Sequence, residues 1–254
     1  MNLARIRRFF GLDERRCVLC REPFSPGEGG VLAEMLCPAC RPLLRRRTAG
    51  FCPHCGEPFA LEEAPLTPCE SCLQALPPWD GFLFFGLYEG ALRDLVLSAK
   101  FGGSLPSLDI LGHLMSEVCV EHYASAPKPH CIVPVPLHRS RLQERGFNQS
   151  VELARPLARA LDIPLYYDRL VRVKATVPQA SLKREQRREL RQPFFASPEV
   201  SGLRVLLLDD VCTTGATLTR AAQSLLEAGA SRVDVVVAAR TSRHSPAGNG
   251  SERP

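Results

Sequence analysis

The chain has 254 residues, of which 45% are hydrophobic and 23% charged, and its formal net charge is +5. This length gives room for one large or two smaller globular domains, and the composition excludes wholesale disorder. Mild basicity by itself does not specify a nucleic-acid partner, and no run reaches the roughly 20 consecutive apolar residues that a membrane helix needs.

The opening stretch, MNLARIRRFFGLDERR, is basic and lacks the apolar core and small-residue cleavage site of a secretory signal. Its spacing predicts a short amphipathic helix leading into Cys17, and the expected location is cytoplasmic. Up to residue 80, ten Lys/Arg balance ten Asp/Glu; the excess of basic over acidic residues lies beyond, at 22 against 17.

Eight of the 11 cysteines fall between Cys17 and Cys72. Cys17-x-x-Cys20 is followed after sixteen residues by Cys37-x-x-Cys40, and Cys52-x-x-Cys55 after thirteen by Cys69-x-x-Cys72. Each Cys-x-x-Cys turn sets two sulfurs on one side of a tight knuckle, and two knuckles complete a tetrahedral S₄ site. Pro38, Pro53 and Gly56 favour such turns. Disulfides suit an oxidising compartment instead, and thioredoxin-like chemistry uses one such pair, not four in series. Two structural Zn²⁺ ions are therefore expected, with no open coordination position. A polar region of this size needs such staples to fold. His54 lies inside a knuckle, but the ligand count is complete without it.

Pro77-Pro78 closes the cysteine-rich region, and from Gly81 onward apolar runs alternate with helical spacing. Strands are expected at Gly81–Tyr88, His130–Leu137, Pro164–Tyr167, Leu203–Leu208 and Val233–Ala239. Helices are expected at Gly90–Lys100, Ser107–Tyr123, Ser150–Leu161 and Thr217–Gly229. Leu182–Leu190 is a highly charged segment. Alternating strands and helices indicate an α/β domain built on a parallel sheet. The expected divisions are 1–78, 79–242 and a polar, disordered tail over 243–254.

The most informative string is LRVLLLDDVCTTGATL, residues 203–218. A buried strand runs into Asp209 and Asp210, a turn follows, and a helix begins near Thr217. Thr213, Thr214, Gly215, Ala216 and Thr217 can wrap a phosphate with backbone N–H groups and hydroxyls, at the positive end of the helix. The adjacent carboxylates suit ribose hydroxyls, directly or through Mg²⁺. An N-capped acidic turn would explain one Asp and one Thr, but not the whole string. No Walker or dinucleotide-binding glycine motif is present.

This string resembles the motif that binds 5-phosphoribosyl-1-pyrophosphate (PRPP) in type I phosphoribosyltransferases. Together with the cysteine pairs, the chain from Cys17 to about Arg240 resembles the ComF family, associated with competence for DNA uptake. The resemblance implies a type I phosphoribosyltransferase fold behind an N-terminal double zinc ribbon, binding PRPP with Mg²⁺. It makes Asp209 and Asp210 the catalytic pair. IVPVPLHRSRLQERGFNQS, residues 132–150, is similar to the family's pyrophosphate segment, with Arg139, Arg141 and Arg145 as forked donors. Residues 172–195 resemble a hood loop able to close over substrate, with Arg172, Gln179, Leu182, Arg188 and Phe194 or Phe195 as counterparts. The same charged stretch also fits an ion-paired surface helix, and for any single residue there the surface reading is the stronger. Lys100-Phe101-Gly102 corresponds to a Lys and Gly that often follow the family's first helix. Cys212, Cys119 and Cys131 read as small space-filling residues.

Three functions fit these residues, and the first is favoured because the phosphate chemistry is complete while base-recognition chemistry is not visible. One is a PRPP-binding protein of natural transformation, handling single-stranded DNA alongside competence proteins. The second is an active phosphoribosyltransferase of nucleotide salvage or synthesis, releasing pyrophosphate from PRPP. The third is a PRPP sensor whose ribbon docks a protein. No pocket for an acceptor base is legible, and the resemblance leaves turnover open.

Overall fold

Strand runs that are apolar at every position can be satisfied only when both faces of a sheet are covered, and this requirement organises the molecule. The computed structural model describes residues 14–27, 29–137, 142, 146–172 and 193–242. The expected N-terminal helix and the tail over 243–254 lie largely or wholly outside the described residues. In chain order, an antiparallel pair, β1 (Arg15–Arg16) and β2 (Pro23–Phe24), frames the first knuckle and is followed by α1 (Gly30–Met35). The short helix α2 (Glu70–Gln74) ends the cysteine-rich region. The body then comprises β3 (Gly81–Leu87), α3 (Gly90–Phe101), α4 (Leu105–Tyr123), β4 (Cys131–Pro134) and α5 (Gln149–Leu161). It continues with β5 (Leu170–Arg172), β6 (Phe194–Ala196), β7 (Arg204–Cys212), α6 (Ala216–Glu227) and β8 (Arg232–Arg240).

The main sheet is parallel throughout, in the order β3-β8-β7-β4. The strand expected at Pro164–Tyr167 is reduced to a single parallel bridge between Leu165 and Ile132. Two other boundaries differ from expectation in a way that bears on function. β7 continues past Leu208 through both aspartates to Cys212, because β8 keeps pairing beside it: Asp209 lies opposite Val237 and Cys212 opposite Arg240. The helix after the loop begins at Ala216, one residue early.

Alternate residues of the strands enter two separate cores. Ile132, Leu206, Leu208, Val236 and Ala238 pack with α3, α4 and α5 on one face. Cys131, Val133, Val205, Leu207, Val235 and Val237 pack with α6 and the β5–β6 ribbon on the other. The cysteine-rich region is built into both. Cys17, Leu36, Cys37 and Cys40 join the first core, and Cys52, Cys55 and Cys72 join the second beside Trp79, Phe82 and Phe84. Gly56 shows how close this packing is: its φ is +69°, and a Cβ there would stand 2.4 Å from the Phe82 ring.

Local chemistry fixes the helix starts near the sheet's C-terminal edge. Asn148 caps α5, its side chain accepting from Ser150 N–H, and Ser104 caps α4 by accepting from Ser107 N–H. The crossover from β4 through α5 runs outward to Leu165, whereas that from β7 through α6 returns to β8 on the other side. Neighbouring strands whose connections part in this way open a crevice above their carboxyl ends, where ligands of parallel α/β sheets bind.

Candidate functional site

At that switch point the last residues of β7 present two carboxyl groups. Asp209 Oδ1 accepts from Ser150 Oγ at 3.2 Å and from the backbone N–H of Asp210 at 2.9 Å. Lys100, at the end of α3, places its Nζ 3.1 Å from Asp210 Oδ1. The position of Lys100 is held from α5, since Gln149 Nε2 donates to the carbonyl of Ala99 at 2.7 Å. Thus α3, α5 and β7, far apart in sequence, converge on one acidic pair.

The next residues form an open loop. Thr213, Thr214, Ala216 and Thr217 are exposed, and Gly215 is buried beneath them. Gly215 caps α6 with φ +79°, in the left-handed region where a side chain would be strained. Thr214 Oγ1 accepts from Ala216 N–H, and the helix proper starts with Thr219 N–H donating to Gly215 O. N–H groups in a first helical turn have no intrahelical acceptor and carry the positive end of the dipole. The outer side of the loop, at Thr213, Thr214, Ala216 and Thr217, therefore faces solvent a few residues after the carboxylates, while its inner side at Gly215 rests on Trp79 and Cys212. Arg139, Arg141, Arg145, Gln179, Leu182 and Arg188 lie outside the described residues. Arg172 sits at the base of the hood segment in β5, its guanidinium 5.5 Å from the Phe194 ring centre. Phe194 is core and Phe195 is exposed, so only the latter presents a ring to solvent.

Loss of hydration at the strand end, reinforced by the Asp210 carboxylate, pushes the Asp209 acid up to about 7; the Asp210 amide, Lys100 and Ser150 act against this. The protonated form is thus the one the fold favours, while a cation or ribose hydroxyls favour the ionised form. Affinity for a Mg²⁺-bound ligand is therefore expected to fall about tenfold per pH unit below about 7 and to level off above it. Titrations across this range should show the inflection, and Asp209→Asn should remove it.

The eight sequence-assigned cysteines form two groups, Cys17/Cys20/Cys37/Cys40 and Cys52/Cys55/Cys69/Cys72, with all sulfurs of a group within 4.8 Å of one another. This settles which knuckles pair, and no disulfide joins any of them. Burial alone would push the Cys17 thiol up, but N–H groups of Cys20, Cys37 and Leu19 outweigh it and hold the thiol at about 6. In the same group burial and neighbouring sulfurs push Cys40 well up. The second group repeats the contrast, with Cys52 lowered and Cys55 pushed up to about 12. Four crowded sulfurs, some already favouring the thiolate, have the donor chemistry of a closed tetrahedral Zn²⁺ site. The half-buried His54 is not among them; its carbonyl accepts from the Trp79 indole N–H at 2.7 Å. Cys119 and Cys131 are fully buried core residues, and Cys212 packs under Gly215.

Three contributors were missed or underweighted in the sequence. Ser150 and Gln149 follow the Asn148 cap at the end of the arginine-rich string, where only the arginines were assigned a role. Lys100 was marked only by the resemblance of Lys100-Phe101-Gly102 to a family segment that can line the site, and its partner Asp210 was not foreseen.

A parallel α/β sheet with an acidic strand end and a Thr/Gly loop at its switch point, joined to two S₄ cysteine groups, defines a type I phosphoribosyltransferase fold with an N-terminal zinc ribbon. The family model "Phosphoribosyl transferase domain" matches residues 148–249. The chain is 36% identical over 228 residues to DNA utilization protein YhgH of Salmonella typhi, covering 89% of this chain and 96% of that one. It is 31% identical to competence protein F of Haemophilus influenzae (87% and 94% covered) and 30% identical to competence protein ComFC of Bacillus subtilis (86% and 92%). Among solved structures, glutamine PRPP amidotransferase from B. subtilis aligns with TM-score 0.38 and 23% identity, over 52% of this chain and 26% of that one. The chain belongs to the ComF family.

Proposed function

We propose that this protein binds PRPP as its Mg²⁺ complex and serves in DNA uptake, handling single-stranded DNA in the cytoplasm. The observation that carries the reading is the acidic pair on the central strand, followed at once by an open loop at a helix N-terminus. In this arrangement the 5′-phosphate takes the N–H groups and hydroxyls of 213–217, and the ribose hydroxyls take Asp209 and Asp210. Mg²⁺, when bound, supplies charge to neutralise the pyrophosphate. Asp210 would be one of the groups holding it, and Lys100, whose Nζ lies 3.1 Å from Asp210 Oδ1, would add positive charge for the ligand's phosphates. The arginines at 139, 141 and 145 are assigned to the pyrophosphate. Zn²⁺ in each tetrad is structural.

Relatives named for DNA utilization and competence support the cellular role. Exposed Phe101, Tyr167 and Phe195 offer rings on which bases can stack. No helix among the described residues is long and apolar enough to cross a membrane.

A second reading, turnover, is favoured by one feature. A carboxyl that titrates near neutrality can accept a proton at working pH, so Asp209 could assist when a nitrogen nucleophile displaces pyrophosphate from the ribose C1.

The test is calorimetric titration of the zinc-loaded chain with PRPP, with and without Mg²⁺. A pyrophosphate-release screen over nucleobases and a single-strand binding assay across salt concentrations accompany it. Mg²⁺-dependent PRPP binding is expected, together with single-strand affinity whose logarithm falls linearly with log salt. Pyrophosphate release would establish the transferase reading, and PRPP binding without DNA affinity would leave a sensor. Absence of PRPP binding would remove the proposal. Metal analysis should find two Zn²⁺ per chain.

A further inference from the structure

Arg240, the last residue of β8, is fully buried and lies between the second cysteine group and the phosphate loop. On one side its Nε donates to the carbonyl of Cys55 at 3.0 Å, and its Nη2 pairs with Glu57 Oε2 at 2.6 Å. On the other, its Nη1 donates to Cys212 O at 3.2 Å and to the carbonyls of Thr213 and Thr241. One guanidinium thus holds the knuckle that carries a metal ligand and the two residues at which the phosphate loop departs from its strand. Trp79 provides a second, independent link. Its Nε1 donates to His54 O in the same knuckle, and its ring lies 3.6 Å from where a Gly215 side chain would begin.

We propose that Arg240 is a positioning residue which couples the metal state of the Cys52/Cys55/Cys69/Cys72 group to the shape of the phosphate loop. The first cysteine group takes no part in this coupling. The argument is geometric. Arg carries five donors in a fixed planar fork, and here that fork spans two backbones, so displacement of one end displaces the other. A metal ion fixes the Cys52–Cys55 knuckle and with it the carbonyls of His54 and Cys55. When the metal leaves, the knuckle relaxes, the fork loses part of its footing, and Thr213 and Gly215 lose theirs. The first group packs in the opposite core with α3, α4 and α5 and has no such connection among the described residues. Coupling between two sites is reciprocal: ligand on the loop must strengthen metal retention at the second group by the same factor as the metal strengthens ligand binding.

The inference rests on the PRPP reading only for its ligand, so two readouts separate them. The first uses no ligand. Amide hydrogen exchange of Thr219 and Thr241, whose N–H groups donate to Gly215 O and Cys212 O at the two ends of the loop, is measured in the zinc-loaded full chain, in Cys69→Ser (second group) and in Cys20→Ser (first group). Exchange is expected to rise about tenfold in Cys69→Ser and to change less than about twofold in Cys20→Ser. The second readout follows Zn²⁺ transfer to a chromophoric chelator, with and without Mg²⁺·PRPP. Ligand is expected to slow, about tenfold, only the phase absent in Cys69→Ser. Arg240→Met with Glu57→Gln removes both buried charges together, and Trp79→Phe keeps the ring but not its N–H donor. With both zincs retained, the double variant should lose the protection and Trp79→Phe should weaken it, whereas a merely structural role would lower the melting temperature and leave the selectivity between phases intact. Equal protection of both phases, or unchanged exchange at Thr219 and Thr241 in Cys69→Ser, would overturn the coupling. If the chain shows no PRPP binding by calorimetry, the functional reading fails while the exchange readout still decides the coupling.

Discussion

Replacing Asp209 and Asp210 together by Asn is expected to weaken Mg²⁺·PRPP binding by orders of magnitude while making the protein more stable above neutral pH. Each carboxylate is expected to accept charge-assisted hydrogen bonds or to help hold a cation, interactions worth about 1.5–3 kcal/mol apiece. Losing two should weaken binding by roughly 10²–10⁴-fold. The stability effect has the opposite sign. The Asp209 acid is raised to about 7 by burial and by its neighbour. The stability linked to its protonation is therefore full below about 4, the value for an unfolded Asp, and is lost as pH rises through about 7. At pH 8 the Asp209 carboxylate is ionised in a buried place beside Asp210 and opposes folding. Asn at 209 relieves this, and the lost Lys100–Asp210 pair offsets part of the gain. A net gain of about 1 kcal/mol, or about 2–4 °C in melting temperature, is expected at pH 8 and should vanish near pH 4. Calorimetry on the wild type and the double variant at both pH values checks it. Retained PRPP affinity within tenfold of wild type would remove these residues from the site.

The parts of this molecule that could be read in advance are those governed by local rules. Four strands announced themselves as apolar runs, because a strand covered on both faces has no polar side. The cysteine groups were legible because a knuckle's spacing is set by the metal's geometry. The acidic pair and its Thr/Gly loop were legible as a string, but the end of β7 was misplaced. Adjacent aspartates normally mark a strand's exit, and here pairing with β8 carries the strand through them to Cys212. The second core's connection to the ribbon could not be foreseen. Arg is among the residues least often fully buried, and Arg240 finds Glu57 across 183 residues of sequence. Lys100 and Ser150 reach Asp210 and Asp209 only because α3 and α5 flank the same sheet face, a property of the topology and not of their neighbours in sequence.

Chelation of both metals under reducing conditions is expected to destabilise the α/β body and the ribbon together, as one unit. Structural Zn²⁺ contributes about 10–16 kcal/mol of apparent binding free energy in small sites, whereas a whole domain is stable by about 5–15 kcal/mol. Were the cysteine region a tethered appendage, the sheet would survive its loss. Instead Cys17, Cys37 and Cys40 are core residues on one face of the sheet, and Cys52, Cys55 and Cys72 on the other. The segment joining the two groups is bonded to the sheet edge, Arg47 N–H donating to Phe85 O at 2.8 Å, and Arg46 pairs with Glu121 of α4. Stripping the metals leaves eight thiols in these places, and burial holds several of them protonated. A single cooperative transition is therefore expected, with a melting temperature lowered by at least about 10 °C, as a loss of about 5 kcal/mol would give. The one tryptophan, Trp79, makes the result easy to read, since it is buried against the second knuckle. Its emission should shift to the red in step with the loss of sheet and helix signal by circular dichroism. A melt in two separated steps, with the sheet unfolding at its metal-loaded temperature, would show the body to be independent of the ribbon.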